Sequence, residues 1–220
     1  MALDLIVMLT WHDVTVPDAK EVFLACKDAP AKHWGFKLEG TTPESMAELI
    51  RCMKENDKTV YIEVLDMKEE VCLDAAKRCA AAGVDHLLGT VYYESVAKVC
   101  AEAGMKYSPF TALAPDSRLR GDIPSVVEKA KADTARNTSG ITISAFRYVD
   151  GDPVELLKAL DGAMEKPYRI AGSVNSFERI DFLKTLQNLT AFTIGGAFFE
   201  GQFGGTFAQQ ITKVCDYLRQ

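Results

Sequence analysis

The sequence predicts a single (β/α)₈ barrel spanning residues 1–220, and three observations carry that expectation. Short β-rich apolar runs alternate with longer stretches of helical period from one end of the chain to the other. Eight such runs can be counted, spaced by about 27 residues, room for one strand, one helix and two short loops. The 220 residues are 48% hydrophobic and 25% charged, a composition for a folded core and not for a disordered or collagen-like chain.

The strands are expected to begin near Leu5 (LIVMLT), Trp34 (WGFKLE), Thr59 (TVYIEVL), His86 (HLLGT), Lys106 (KYSPFT), Ile141 (ITISAF), Tyr168 (YRIAGS) and Ala191 (AFTIGG). The helices between them carry their own signals. Pro17 precedes the first, and Thr42 with Pro43 reads as an N-cap and first helical residue before ESMAELIRCMKEN. The third, from about Lys68 to Ala82, and the fourth, from Tyr93 to Ala103, stop at Gly83 and Gly104. A fifth runs from Pro124 to Arg136, a sixth from Pro153 to Glu165, a seventh from Ser176 to Gln187 and the last from Thr206 to Leu218. An open doubly wound sheet is the competing architecture. No G-x-G-x-x-G follows the first strand and no GxxxxGK[ST] occurs anywhere, so the dinucleotide-binding and P-loop versions are disfavoured.

Several function classes recede on charge and composition. A net charge of −6, with 25 basic and 31 acidic side chains spread without blocks, offers no track for a phosphodiester backbone, so nucleic acid is not an expected partner. No apolar run approaches the ~18–20 residues of a membrane span, and Asp4 stands where a signal peptide carries positive charge. A cytoplasmic protein is expected. The six cysteines form no CxxC and are read as reduced, buried small hydrophobes.

In such a barrel the chemistry sits at the C-terminal ends of the strands. On the second strand, Lys37 and Glu39 are two apart and share a face; the helix layer would leave them in an apolar interface, so both are expected to point into the mouth. Glu63 and Asp66 follow on the third strand, with Glu63 within reach of Lys37. Lys37, Glu39, Glu63 and Asp66 are therefore the candidate catalytic residues. A lysine beside carboxylates has two uses: kept protonated it stabilises an enediolate while a carboxylate moves the proton, and as a free amine it attacks a carbonyl to form a Schiff base. The first is the favoured expectation: an isomerase or epimerase acting on a small phosphorylated sugar or sugar-derived carbonyl compound. An aldolase-type carbon–carbon lyase through Lys37 is the alternative, and a non-catalytic phosphate-metabolite binder is the second.

Glycines at the exits of strands seven (Ala171-Gly172-Ser173) and eight (Ile194-Gly195-Gly196-Ala197) let backbone N–H groups approach an anion, and a short helix after strand eight would aim its positive end at the same spot. Gly172, Ser173, Gly195 and Gly196 are the candidate phosphate ligands, with Arg147, Thr90 and Asn175 as further substrate contacts. Arg147 either clamps a second anionic group or pairs with Asp150. His12 and Asp13, after strand one, are a candidate base or metal ligand; His33 and His86 sit at strand starts and cannot join them. No cofactor is expected, with Mg²⁺ on Asp13, Glu39, Glu63 or Asp66 left open. A homodimer is the default assembly.

With these glycine-bearing exits, AGS and IGGA, the chain resembles the phosphate-binding (β/α)₈ barrels. That superfamily includes the ribulose-phosphate-binding enzymes, the phosphoribosyl isomerases of histidine and tryptophan biosynthesis, and 2-keto-3-deoxy-6-phosphogluconate aldolase. The resemblance implies the fold, a phosphate site and charged residues on strands two and three in carbohydrate metabolism. It does not imply one reaction. The D-x-K-x-x-D run of its decarboxylases appears only as Glu63-Val64-Leu65-Asp66, without the lysine, and ITISAFRYV lacks the strand-six lysine of its aldolases.

Overall fold

A computed structural model describes residues 3–220. Eight parallel strands form one sheet: β1 (Asp4–Met8), β2 (His33–Lys37), β3 (Thr59–Val64), β4 (His86–Gly89), β5 (Lys106–Ser108), β6 (Ile141–Ile143), β7 (Tyr168–Ile170) and β8 (Leu189–Ile194). The order around the sheet is β5-β4-β3-β2-β1-β8-β7-β6, so β1 lies between β2 and β8. The ring closes between β5 and β6 just beyond the regular ladder: Thr142 N–H donates to Pro109 O at 2.8 Å and Thr111 N–H to Thr142 O at 3.0 Å. The barrel is nearly closed, as the strand count predicts.

Around it run α1 (Ala19–Cys26), α2 (Pro43–Glu55), α3 (Glu69–Ala81), α4 (Glu94–Glu102), α5 (Ile123–Thr134), α6 (Pro153–Ala163), α7 (Phe177–Lys184), the single-turn α8 (Gly196–Phe199) and α9 (Phe207–Leu218). The Thr42 cap forms as expected. Its hydroxyl accepts from Ser45 N–H at 3.2 Å and Ser45 Oγ accepts from Thr42 N–H at 2.9 Å, a reciprocal capping box. The expected start of α5 at Pro124 moves back one residue because the Asp122 carboxylate accepts from Ser125 N–H at 2.8 Å and serves as the cap. Among the described residues no helix is long and apolar enough to cross a membrane.

The two faces of each strand divide the apolar residues into separate cores. Leu5, Val7, Trp34, Phe36, Val60, Ile62, Phe192 and Ile194 face the helices in one large cluster, while Ile6, Met8, Tyr61, Leu88 and Ala191 fill the barrel interior. This alternation places Lys37 and Glu63 inward, side by side in the β2–β3 register.

The floor of the barrel is polar. His86 is 6% exposed, its ring stacks on Tyr61 at 4.3 Å between centroids, and its Nδ1 has no hydrogen-bond partner. The buried Arg169 guanidinium donates to Ser108 Oγ at 2.7 Å and to Ser139 O at 3.2 Å. Burial, and then the nearby Arg169 charge, push the His86 imidazole down from 6.5 to about 3. A depressed imidazole contributes stability that is complete above 6.5 and is lost as pH falls toward about 3, because the unfolded chain then binds the proton first. Urea unfolding measured across that window should show His86 contributing a slope of up to about 1.4 kcal/mol per pH unit, and His86→Phe should remove that contribution.

Candidate functional site

At the C-terminal end of the strands, Lys37 closes β2 with only 3% of its surface exposed. Its Nζ donates to Asp13 Oδ1 at 3.0 Å and lies 3.3 Å from Glu63 Oε1. Asp13 comes from a small hairpin that follows β1, in which Thr10 pairs with Thr15 and Trp11 with Val14 across a two-residue turn. Both turn residues, His12 at φ 50° and Asp13 at φ 63°, are left-handed, as the turn that best fits strand twist requires, and Asp tolerates that conformation better than most residues. The hairpin is pinned to the end of β2: Lys37 N–H donates to Thr15 Oγ1 at 2.9 Å, and the Thr15 hydroxyl donates to Lys37 O at 2.7 Å. Local turn chemistry thus sets the carboxylate over the lysine.

Arg147, at the end of a single 3₁₀ turn (Ala145–Arg147) after β6, reaches Asp13 from the other side. It donates through NH2 to Oδ1 at 2.9 Å and through NH1 to Oδ2 at 3.2 Å, a bidentate pair that spans part of the mouth. Of the two fates expected for Arg147, pairing with Asp150 does not occur: its guanidinium goes to Asp13. Asp150 instead accepts from Gly121 N–H at 2.8 Å.

The two carboxylates are driven in opposite directions. Burial pushes the Asp13 carboxyl up, but the Arg147 hydrogen bonds and the Lys37 charge outweigh it and hold Asp13 at about 2. In Glu63 burial prevails over Lys37, and its carboxyl lies above the ordinary glutamate value. Neighbouring acids with separated protonation behaviour are the arrangement that lets one stay charged while the other exchanges a proton.

These side chains line a cavity of about 410 Å³ at the barrel mouth. Of the expected site residues, it brings together Lys37, Glu63, Arg147, Gly172, Ser173, Asn175, Gly195 and Gly196. Three lie elsewhere. The expectation that Glu39 shares a face with Lys37 fails because β2 ends at Lys37; Glu39 is exposed in the following turn, where its carbonyl accepts from Thr15 N–H at 2.8 Å. Asp66 is beyond the end of β3, and its carboxylate accepts from Lys68 N–H at 2.7 Å in the approach to α3. Thr90 is fully buried within the wall, its hydroxyl bonded to Val91 O and to Tyr107 Oη. The four carboxylates considered for Mg²⁺ are accordingly split, and among the described residues no group of three His, Cys, Asp or Glu side chains is arranged to hold a metal ion.

The glycine exits are also more differentiated than their sequence suggests. Gly172, at φ 75°, has its N–H taken by Thr193 Oγ1 at 2.8 Å, so it offers an open face and not a free donor. Gly195 lets the β8 exit pack on the hairpin: a β-carbon there would lie 2.6 Å from Thr10 O. Gly196 opens α8, whose first N–H groups have no partner within the helix.

Arg179, which the sequence reading passed over, also lines the cavity. It lies in the first turn of α7, where Ser176 Oγ accepts its N–H at 3.3 Å; its guanidinium donates to Ser173 O and lies 4.6 Å from the centre of the Phe146 ring. The signal was present as the N-cap Ser176 shortly after the strand-seven exit, which puts Arg179 in the first turn of a helix that starts at the mouth end of the barrel.

No family model matches the chain, and no curated protein matches it. Among solved structures it is similar to native KDPGal, with 14% identity and a TM-score of 0.70 over 100% of this chain and 96% of that one. It is similar to orotidine 5'-monophosphate decarboxylase from Methanocaldococcus jannaschii complexed with the inhibitor BMP, with 15% identity and a TM-score of 0.70 over 100% of both chains. The tryptophan synthase A-subunit from Pyrococcus furiosus gives 12% identity and a TM-score of 0.66 over 99% of this chain and 97% of that one. The chain is a (β/α)₈ barrel. The resemblance read from the two glycine-bearing exits holds at the level of the fold.

Removing one partner of a buried ion pair leaves the other charge uncompensated. Lys37→Met should therefore destabilise the protein at pH 7 by about 3–5 kcal/mol, and adding Glu63→Gln should restore most of that loss. Urea denaturation of the single and double variants measures both.

Proposed function

We propose that the protein is an enzyme acting on a small phosphorylated sugar or sugar-derived carbonyl compound, and that it moves a proton at the carbon beside the carbonyl, as an isomerase or epimerase does. The observation that carries this reading is the Lys37 ammonium, enclosed in the mouth between Asp13 and Glu63. An ammonium held between two carboxylates suits stabilisation of a developing enediolate better than attack by a free amine. In the proposed step the C–H electron pair becomes the C=C bond of the enediolate as the carbonyl π pair moves onto its oxygen, and the proton passes to Glu63. An isomerase then returns it to the neighbouring carbon while the hydroxyl proton moves to the other oxygen, and an epimerase takes a proton from water on the opposite face as the carbonyl re-forms. Lys37 faces the enediolate oxygens, and Asp13 keeps Lys37 in place.

Gly172, Ser173, Gly195 and Gly196 would seat the phosphate, with Arg147, Arg179 and Asn175 around it. A cavity of about 410 Å³ suits a substrate of a few carbons plus phosphate. Similarity in fold to a decarboxylase of orotidine 5'-monophosphate supports a phosphate-bearing substrate without choosing the reaction.

The lyase reading has one observation in its favour: Lys37 is the lysine that lines this cavity. Borohydride reduction in the presence of ketose and aldehyde phosphates separates the two. Solvent-proton exchange without a covalent adduct supports proton transfer, and a substrate adduct on Lys37 establishes the lyase. In a screen of phosphorylated sugars, Lys37→Ala and Glu63→Gln should each lower turnover by about 10²–10⁴-fold; unchanged turnover would remove both residues from the reaction. Because burial raises the Glu63 carboxyl, the acidic limb of the pH–rate profile should lie above 4.5 and vanish in Glu63→Gln.

A further inference from the structure

Arg147 has two hydrogen-bonding edges, and the molecule uses them differently. Its terminal edge, NH1 and NH2, is bonded to the Asp13 carboxylate. Its side edge, Nε and NH2, faces Gly172. A β-carbon placed on that glycine would lie 3.7 Å from each of these two nitrogens, with nothing else within 4 Å apart from its chain neighbours. Equal distances to Nε and NH2, with the central carbon beyond 4 Å, mean that the edge and not the flat face is turned toward the glycine. A guanidinium carries five N–H donors in a fixed fork; two serve Asp13, and the Nε–H and the second NH2 hydrogen are left on the side edge.

We infer that Arg147 bridges the substrate's phosphate and the Asp13 carboxylate: its side edge takes phosphate oxygens beside Gly172 while its terminal edge holds Asp13 against Lys37. This deepens, and rests on, the phosphate-substrate reading above. One cation then serves two anions, one on each of its two edges. Each anion weakens the hold of Arg147 on the other, and by linkage the effect is reciprocal. Phosphate arriving beside Gly172 loosens the grip of Arg147 on Asp13 and leaves that carboxylate more to Lys37. Arg147 is thus a positioning residue for Asp13 as well as a phosphate ligand. Gly172 places no side chain over that side edge.

Inorganic phosphate is the probe, measured by calorimetry at low ionic strength on the full chain. Asp13→Asn, which removes the competing anion, should bind phosphate at least about fivefold more tightly than wild type. Gly172→Ala should bind it more than tenfold more weakly, and in an Arg147→Lys background the Asp13→Asn effect should disappear. A second measurement needs no variant fold: the carbon-13 resonance of the wild-type Asp13 carboxyl should shift as phosphate saturates. Phosphate that binds wild type, with Asp13→Asn affinity unchanged and the Asp13 resonance unmoved, overturns the bridge while leaving the phosphate reading intact. Failure of wild type to bind phosphate overturns the phosphate reading and the bridge together.

Discussion

An ammonium group has been taken into the interior of a parallel barrel, and much of the mouth is arranged around that fact. Each strand offers two faces, one toward the helices and one toward the barrel axis. With Trp34 and Phe36 committed to the helix side, Lys37 has to point inward. A buried cation is costly unless its charge is met at close range, and the adjoining strand supplies Glu63 in register. One carboxylate comes from the ladder itself; the second, Asp13, has to be brought over from another strand's loop.

That second carboxylate explains the hairpin after β1. A two-residue turn of left-handed residues is an unfavourable local conformation outside glycine, yet it projects Asp13 over the cavity, and the mutual hydrogen bonds between Thr15 and Lys37 lock the hairpin to the strand carrying the lysine. The sequence Thr-Trp-His-Asp-Val-Thr therefore builds a rigid arm, not a loose loop. Rigidity matters because electrostatic stabilisation of a transition state depends on dipoles and charges already being in position.

The barrel was legible in the sequence because its signal is repeated: eight apolar runs, each followed by a stretch of helical period, reinforce one another even where a single boundary is off by a residue or two. The site was legible wherever a strand's alternation decides direction, as for Lys37 and Glu63. It failed two residues past the strand. Glu39 follows the same two-residue period on paper, but β2 stops at Lys37 and the period stops with it. Thr90 was misplaced for a related reason: it follows a strand whose last residue, Gly89, is left-handed, and the chain turns it into the wall. The partnership of Asp13 with Arg147, separated by 134 positions, has no local signature at all.

The glycine exits show why equivalent motifs need not do equivalent work. Backbone donors were the expected anion ligands, but the Gly172 N–H is consumed by Thr193 and Gly195 is required for packing against Thr10. What these residues provide is room near Arg147, Trp11 and Glu200, whose side chains are the nearest atoms to the open faces of Gly172 and Gly196. Recognition of an anion here would then rest more on guanidinium forks than on main-chain amides. That distinction has a chemical consequence. An amide donor is neutral, whereas a guanidinium already bonded to Asp13 would carry a charge shared by both anions, so on the bridging proposal what binds at the glycine turn would be felt at the carboxylate beside Lys37.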